Sequence, residues 1–278
     1  MKSSSSDAND GFAPVPGGGE IAYQVRGRVH GGTPILLIRP LGGSMALWGS
    51  FRTLLAEHHH VISFDHRGSG HSSAAPPWVT TRGLARDARL VLDRVSVPRA
   101  HVFGISLGGM AATWLALLAP DRVARLCLAS TPLRGLALTH SSLRRDLALF
   151  LSFARPLPEV EAHLVDRILS RRFRADHPED VRRIERALEA EPATRTALLR
   201  HALAGLLHDA RRDAHRIAVP TLVLVGEEDA LLGIDAPRAL AAAIPGAVFE
   251  IVGAAGHDLT LEQPLATATR VARFFDAS

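Results

Sequence analysis

Cysteine is almost absent: Cys127 is the only one in 278 residues. No intramolecular disulfide can form, so stability has to come from a packed core. A reducing, cytoplasmic setting is the expectation. Cys127 stands in the apolar run Leu126-Cys127-Leu128-Ala129, where a small buried thiol is expected. Lysine is equally scarce. Lys2 is the only one, and every other basic side chain is arginine. The net charge is +4, and the arginines are spread along the chain beside acidic residues. Nucleic-acid binders tend to gather such residues on one face, so no nucleic-acid partner is expected. Long hydrophobic runs are missing too. None approaches the roughly 18 residues that suggest a membrane span, so no membrane partner is expected. The segment Met1–Gly19 has no apolar stretch of the kind a secretory signal carries. It is rich in Ser, Asp, Pro and Gly and is expected to be a disordered tail.

What is present is ordinary for a soluble globular protein: 47% apolar and 22% charged residues, enough for a sizeable core. After the tail, strand and helix patterns alternate. Glu20–Arg26, Pro34–Ile38, Val61–Phe64, His101–Phe103 and Val123–Ala129 read as strands. Ala46–Ala56, Thr80–Ser96 and Leu107–Leu118 read as helices between them. In Thr80–Ser96 the residues Leu84, Ala88, Val91, Leu92 and Val95 fall on one face. Such alternation argues for a mainly parallel sheet covered by helices. It then stops. From Pro132 to Ala218 no strand pattern occurs, and Leu143–Phe153, Glu159–Ser170, Glu179–Ala190 and Ala193–His208 read as helices set off by prolines. Alternation returns with Thr221–Val225, Pro237–Ala243, Val248–Val252 and Thr260–Phe275. The division expected is a tail at 1–19, an α/β core at 20–131 and 219–278, and a helical cap at 132–218.

Gly104-Ile105-Ser106-Leu107-Gly108 fits the pattern G-x-S-x-G, which by itself is weak. Its position strengthens it, because it follows a strand and opens a helix, the setting of a nucleophile elbow. The helix start also supplies unpaired N–H groups and the positive end of the helix dipole. The N–H of Leu107 is thereby placed to stabilise an oxyanion on a substrate attacked by Ser106. A serine hydroxyl needs a base. His257 follows the strand Val248–Val252, and in open α/β sheets sites gather at the carboxyl ends of strands. The orienting carboxylate is expected between the two in sequence. The strand Thr221–Val225 runs into Gly226-Glu227-Glu228-Asp229, and Asp229 is the first choice, with Glu228 and then Asp235 as rivals. The expected roles are nucleophile Ser106, base and acid His257, and orienting anion Asp229.

These segments resemble the α/β-hydrolase superfamily over about Glu20 to Phe275. Phe64-Asp65-His66-Arg67-Gly68-Ser69-Gly70-His71-Ser72 is similar to that family's D-x-R-G-x-G-x-S segment, a structural element. Gly256-His257 followed by Glu262-Gln263-Pro264 is similar to its C-terminal G-H…E-x-P signature. The pattern looks like the capped branch of esterases, enol-lactonases and carbon–carbon hydrolases. The resemblance implies a mostly parallel eight-stranded sheet with helices on both faces, a helical cap after the sixth strand, a Ser-His-Asp triad and no cofactor. It also implies the N–H of Leu41 as second oxyanion donor.

One departure stands out. Arg39-Pro40-Leu41-Gly42-Gly43 occupies the loop where the family usually has His-Gly. Arg39 is expected either to hold structure or to pair with a substrate carboxylate, for which an arginine fork is suited. Trp48, with Met45, Trp78, Phe150 and Phe153, is a candidate for an apolar pocket or equally for core. His58-His59-His60 lacks partners at ligand spacing, so no metal site is expected. The arginines of Arg171-Arg172-Phe173-Arg174 and Arg182-Arg183 read as a solvated face or as a rim that steers anions.

The function expected is hydrolysis of a small-molecule ester, lactone or thioester through an acyl-enzyme on Ser106. The alternatives are the same triad used for C–C hydrolysis, acyl transfer or lyase chemistry, and a binding protein without turnover. Self-association is left open.

Overall fold

A computed structural model describes residues 9–27, 31–135 and 157–277. The strands are β1 (Asn9–Pro14), β2 (Glu20–Arg26), β3 (Ile35–Ile38), β4 (Val61–Phe64), β5 (Ala100–Ile105), β6 (Val123–Ala129), β7 (Thr221–Gly226) and β8 (Val248–Val252). They form one sheet in the order β1-β2-β4-β3-β5-β6-β7-β8. β1 and β2 run antiparallel to their neighbours, and all the pairings from β4 to β8 are parallel. The helices around it are α1 (Gly49–Ala56), α2 (Thr81–Arg94), α3 (Leu107–Leu118), α4 (Leu157–Ile168), α5 (Arg171–Asp176), α6 (Pro178–Ala190), α7 (Arg195–Leu206), α8 (Asp235–Ala243), α9 (Leu259–Glu262) and α10 (Pro264–Asp276).

β3, β4, β5 and β7 are buried at every position and mostly apolar, because helices cover both faces. In β3, Leu36 and Ile38 join one buried cluster with Leu84, Ala88 and Leu92 of α2 and Ala111 and Leu115 of α3. Its other two residues, Ile35 and Leu37, join a second cluster with Phe51 and Leu55 of α1 and Val271 and Phe275 of α10. One strand thus feeds two cores by its period-two alternation.

Two expectations need correction. Part of the segment 1–19 is ordered as β1, which pairs with β2 from Asn9↔Val25 to Pro14↔Glu20. It is an edge strand in which only Ala13 is buried, so its sequence carries none of the apolar alternation that marks the others. It supplies the eighth strand that the resemblance implies. The final helix is also not continuous. It divides at Gln263 into α9 and α10, because Pro264 cannot continue the helix before it and disfavours helical geometry at the residue it follows.

Between β6 and β7 the described residues contain four helices, α4 to α7, and no strand. The base of this helical cap is closed where Gly135 N–H donates to the His208 carbonyl (2.9 Å) and Ala210 N–H to that of Leu133 (3.1 Å). The cap has small cores of its own. Val165, Leu169, Phe173, Ile184 and Leu188 pack with Leu47 of the main domain. The expected helix Leu143–Phe153 lies outside the described residues. Among the described residues, no helix is long and apolar enough to cross a membrane.

Candidate active site

Ser106 sits between β5 and α3 with φ 54° and ψ −119°. A side chain other than glycine rarely adopts this conformation, and such strain persists only when surroundings enforce it. Three hydrogen bonds hold it: Ser106 N–H donates to the Ala129 carbonyl (2.9 Å), Met110 N–H donates to the Ser106 carbonyl (3.0 Å), and Thr131 Oγ1 donates to the same carbonyl (2.6 Å). The flanking glycines are required by close approach. A Cβ on Gly104 would stand 2.4 Å from the Gly108 carbonyl oxygen, and one on Gly108 would stand 2.1 Å from that of Ile38. The five-residue pattern is therefore the only kind of sequence this turn accommodates without moving β3.

His257 follows β8, is buried, and holds the Oδ2 of Asp229 through its Nδ1 at 2.9 Å. The other carboxylate oxygen of Asp229 accepts from the N–H groups of Leu231 and Leu232, both at 2.9 Å. Burial works to raise the Asp229 carboxyl. The His257 charge and hydrogen bond and the two backbone donors outweigh it and hold the group below its usual range. Burial likewise works to lower His257, and the Asp229 partner outweighs it and raises the imidazole above its ordinary value. Both directions describe one pair that favours an imidazolium beside a carboxylate. Neither rival acid takes this place. Glu228 is half-buried and meets the His257 loop through its own N–H, which donates to the Ala255 carbonyl at 2.8 Å. Asp235 is exposed at the start of α8.

Ser106 and His257 line one cavity between sheet and cap, together with Leu41 and Leu107. Most of its remaining wall is aliphatic, including Met110, Leu164, Ile168, Leu188, Leu198 and Leu232. Among the described residues, neither the Leu41 nor the Leu107 N–H donates to a protein group. As the first residue of α3, Leu107 has no intrahelical acceptor to use.

Arg39 is buried at this cavity's edge, and its guanidinium is engaged through the Nη atoms, while its Nε has no hydrogen-bond partner. Its Nη2 donates to Asp258 Oδ2 at 3.1 Å, and the group stacks on Trp48 at 4.6 Å from the ring centroid. The departure from His-Gly at positions 39–40 therefore creates a buried ion pair beside His257. Trp48 requires correction. It is fully buried against Phe51 and Phe103 and is absent from the lining of this cavity. Its helical spacing from Phe51 reflects core packing. Met45 is absent from the lining as well, and Trp78 is 83% exposed. Phe150 and Phe153 lie outside the described residues.

The remaining motifs have structural partners. Asp65 accepts from the N–H groups of Met45 (2.6 Å) and His71 (2.9 Å), and Arg67 forks onto Asp87. His59 contacts the Leu55 carbonyl and Asp276 through its two ring nitrogens. Glu262 accepts from both the N–H (2.8 Å) and the Oγ (2.7 Å) of Ser170 in the cap. Sequence reasoning missed Asp258, Arg167 and His201, all of which border the cavity. Asp258 could have been suspected as the neighbour of His257. The two cap residues carry no local signal.

The profile of the α/β hydrolase fold matches residues 33–264. The chain belongs to the α/β-hydrolase family. Over 254 residues it is 32% identical to a protein of Azorhizobium caulinodans named "Putative carbamate hydrolase RutD", a match that covers 89% of this chain and 92% of the relative. A hydrolase from Pseudomonas aeruginosa superposes with a TM-score of 0.84 at 30% identity, covering 97% of this chain and 99% of the other. The enol-lactonase from Burkholderia xenovorans superposes with a TM-score of 0.85 at 26% identity, covering 96% and 100%.

Proposed function

We propose that this α/β-hydrolase family member is a serine hydrolase that cleaves a small-molecule ester, lactone or thioester. The observation that carries the reading is the buried His257–Asp229 pair at 2.9 Å, whose histidine lines the same cavity as a serine held at φ 54°. In the reaction, His257 takes the Ser106 proton as the hydroxyl attacks the carbonyl carbon, and Asp229 stabilises the imidazolium and fixes its tautomer. The N–H groups of Leu41 and Leu107 receive the negative charge that develops on the carbonyl oxygen. One such donor is worth about 2.7–4 kcal/mol. The leaving group departs with the proton from His257. Water then enters by the same route and releases the acid.

The relatives support this chemistry. Their names include an enol-lactonase and a putative carbamate hydrolase, and both names describe hydrolysis at an acyl carbonyl. A fluorophosphonate probe is expected to label Ser106, and Ser106→Ala to abolish both labelling and turnover of p-nitrophenyl acetate. A folded wild-type protein that takes no label would refute the reading. A panel of esters, lactones, thioesters and carbamates, with Ser106→Ala as control, sorts the substrate class.

A further inference from the structure

The peptide group between Ser106 and Leu107 has the Leu107 N–H, an expected oxyanion donor, at one end and the Ser106 carbonyl at the other. That carbonyl accepts twice. One bond is the ordinary helical one from the Met110 N–H at 3.0 Å, and the second comes from Thr131 Oγ1 at 2.6 Å. Thr131 lies just beyond β6 and is fully buried. Close packing holds its side chain in this pose. A Cβ added to Gly109 would stand 2.7 Å from the Thr131 Cβ and 2.8 Å from both its Cγ2 and its Oγ1, so position 109 has no room for a side chain. Thr131 is absent from the cavity lining, so any part it plays in the reaction is exerted through the peptide group it bonds.

We propose that Thr131 is a positioning residue that strengthens the oxyanion donor of Leu107 by hydrogen-bonding the opposite end of the same peptide group. The inference rests on the hydrolase reading above. Its first support is polarisation. A carbonyl that accepts a hydrogen bond draws electron density from its amide nitrogen, and the N–H at the other end becomes a better donor. Bonds chained in this way reinforce one another by about 10–30% each. A hydroxyl facing a carbonyl can only donate, so the direction of the Thr131 bond is fixed. The gain falls on a group whose charged partner, the oxyanion, exists only as the carbonyl is attacked.

The second support is rigidity. Ser106 is held at φ 54° and ψ −119°, a conformation that persists only under constraint. The Thr131 bond ties this peptide to the segment after β6, outside α3, and so opposes its relaxation.

The test measures kcat and KM for p-nitrophenyl butyrate in wild type, Thr131→Val, Thr131→Ala and Thr131→Ser, with inhibition by a trifluoromethyl ketone alongside. The Ser106 oxygen adds to the ketone carbon, the serine proton passes to His257, and the ketone oxygen becomes an oxyanion. Losing a whole oxyanion donor costs about 10²–10³ in kcat, so a reinforcement of about 10–30% is worth about twofold to eightfold. Thr131→Val and Thr131→Ala are expected to lose that factor in kcat with KM unchanged, and to bind the ketone more weakly by the same factor. Valine fills the place of the hydroxyl and alanine leaves it empty, so an equal loss in both marks the hydrogen bond and not the packing. Thr131→Ser keeps the donor and most of the rate. Thermal melting identifies the variants folded at the assay temperature, and either donor-free variant suffices for the comparison with Thr131→Ser. Three results would overturn the inference. They are a wild-type kcat without the hydroxyl, a loss that Thr131→Ser shares in full, and a fall in kcat with ketone binding unchanged. Failure of the hydrolase reading is distinct. It shows as an unlabelled Ser106 and no turnover of any ester, and it removes this inference with it.

Discussion

At the scale of single residues, the site depends on how Asp229 and His257 share a proton. Asp229 stands below its usual range and His257 above. As the proposed base, His257 would work only when neutral, so kcat/KM is expected to rise with pH through a midpoint above the ordinary imidazole value of about 6.5. Asp229→Asn removes the main partner and leaves burial opposed only by the weaker effect of Asp258. The midpoint then moves downward, and kcat falls by about 10³–10⁴-fold as the wrong imidazole tautomer is favoured. A pH–rate profile of both proteins checks it, and an unshifted midpoint in Asp229→Asn would count against the assignment. The same pair also gives stability a pH dependence. The His257 contribution is fully present below its unfolded value and is lost as pH rises through the raised folded one. That of Asp229 is present above its unfolded value and is lost as pH falls through the depressed folded one. The pair is therefore strongest in the mildly acidic window between the two unfolded values, about 4 to 6.5.

At the scale of elements, Glu262 is one of the polar anchors between the cap and the sheet domain. It receives two hydrogen bonds from Ser170. Ser170 also caps α5, accepting from the Phe173 N–H at 3.0 Å. One hydroxyl thus starts a helix and anchors the cap beside His257. A second strap runs from the Asp258 N–H to the Ile168 carbonyl at 3.0 Å. Ser170→Ala is expected to destabilise by about 1–3 kcal/mol, combining a lost cap with a hydrogen bond to a buried carboxylate. Hydrogen exchange localises the effect. Amides of α4 to α6 lose protection while those of β3 and β5 keep theirs, because a cap opens as a unit below the global unfolding free energy. Equal loss in sheet and cap would contradict this.

Legibility in the sequence followed the same division. The strands β2, β4, β6 and β8 could be bounded to the residue, since each is a stretch rich in apolar residues between turn signals. Ser106 and His257 were visible because each follows such a strand. Asp229 could be preferred over Glu228 but not separated from it, since the choice rests on which oxygen reaches His257 Nδ1 after the turn. β1 was invisible because an exposed edge strand needs no apolar pattern.

At the scale of the whole molecule, contacts between distant parts of the chain close the site, and Arg39–Asp258 is the one the sequence posed as a question. The two residues are separated by 219 positions, one after β3 and one after β8. Their pairing joins the loop of the expected oxyanion donor Leu41 to the loop of His257. Both side chains are 1% exposed, and burial holds the Arg39 pKa below its ordinary value even with Asp258 beside it. Replacing such a pair by apolar groups can be neutral, whereas removing one partner leaves a bare buried charge and is destabilising by about 3–5 kcal/mol. Arg39→Ala is expected to fall in that range in denaturant unfolding. Arg39→Met combined with Asp258→Asn is expected to recover much of the loss, with a coupling energy well outside the roughly 0.5 kcal/mol within which independent sites add. The guanidinium is already engaged by Asp258 and stacked on Trp48, so the single variant lowers kcat/KM on acidic and neutral esters by the same factor. A selective loss on acidic esters would instead mean that the pair opens to bind a carboxylate. Additive stability changes would mean that Arg39 and Asp258 do not act as a pair, and that the two loops are joined by packing alone.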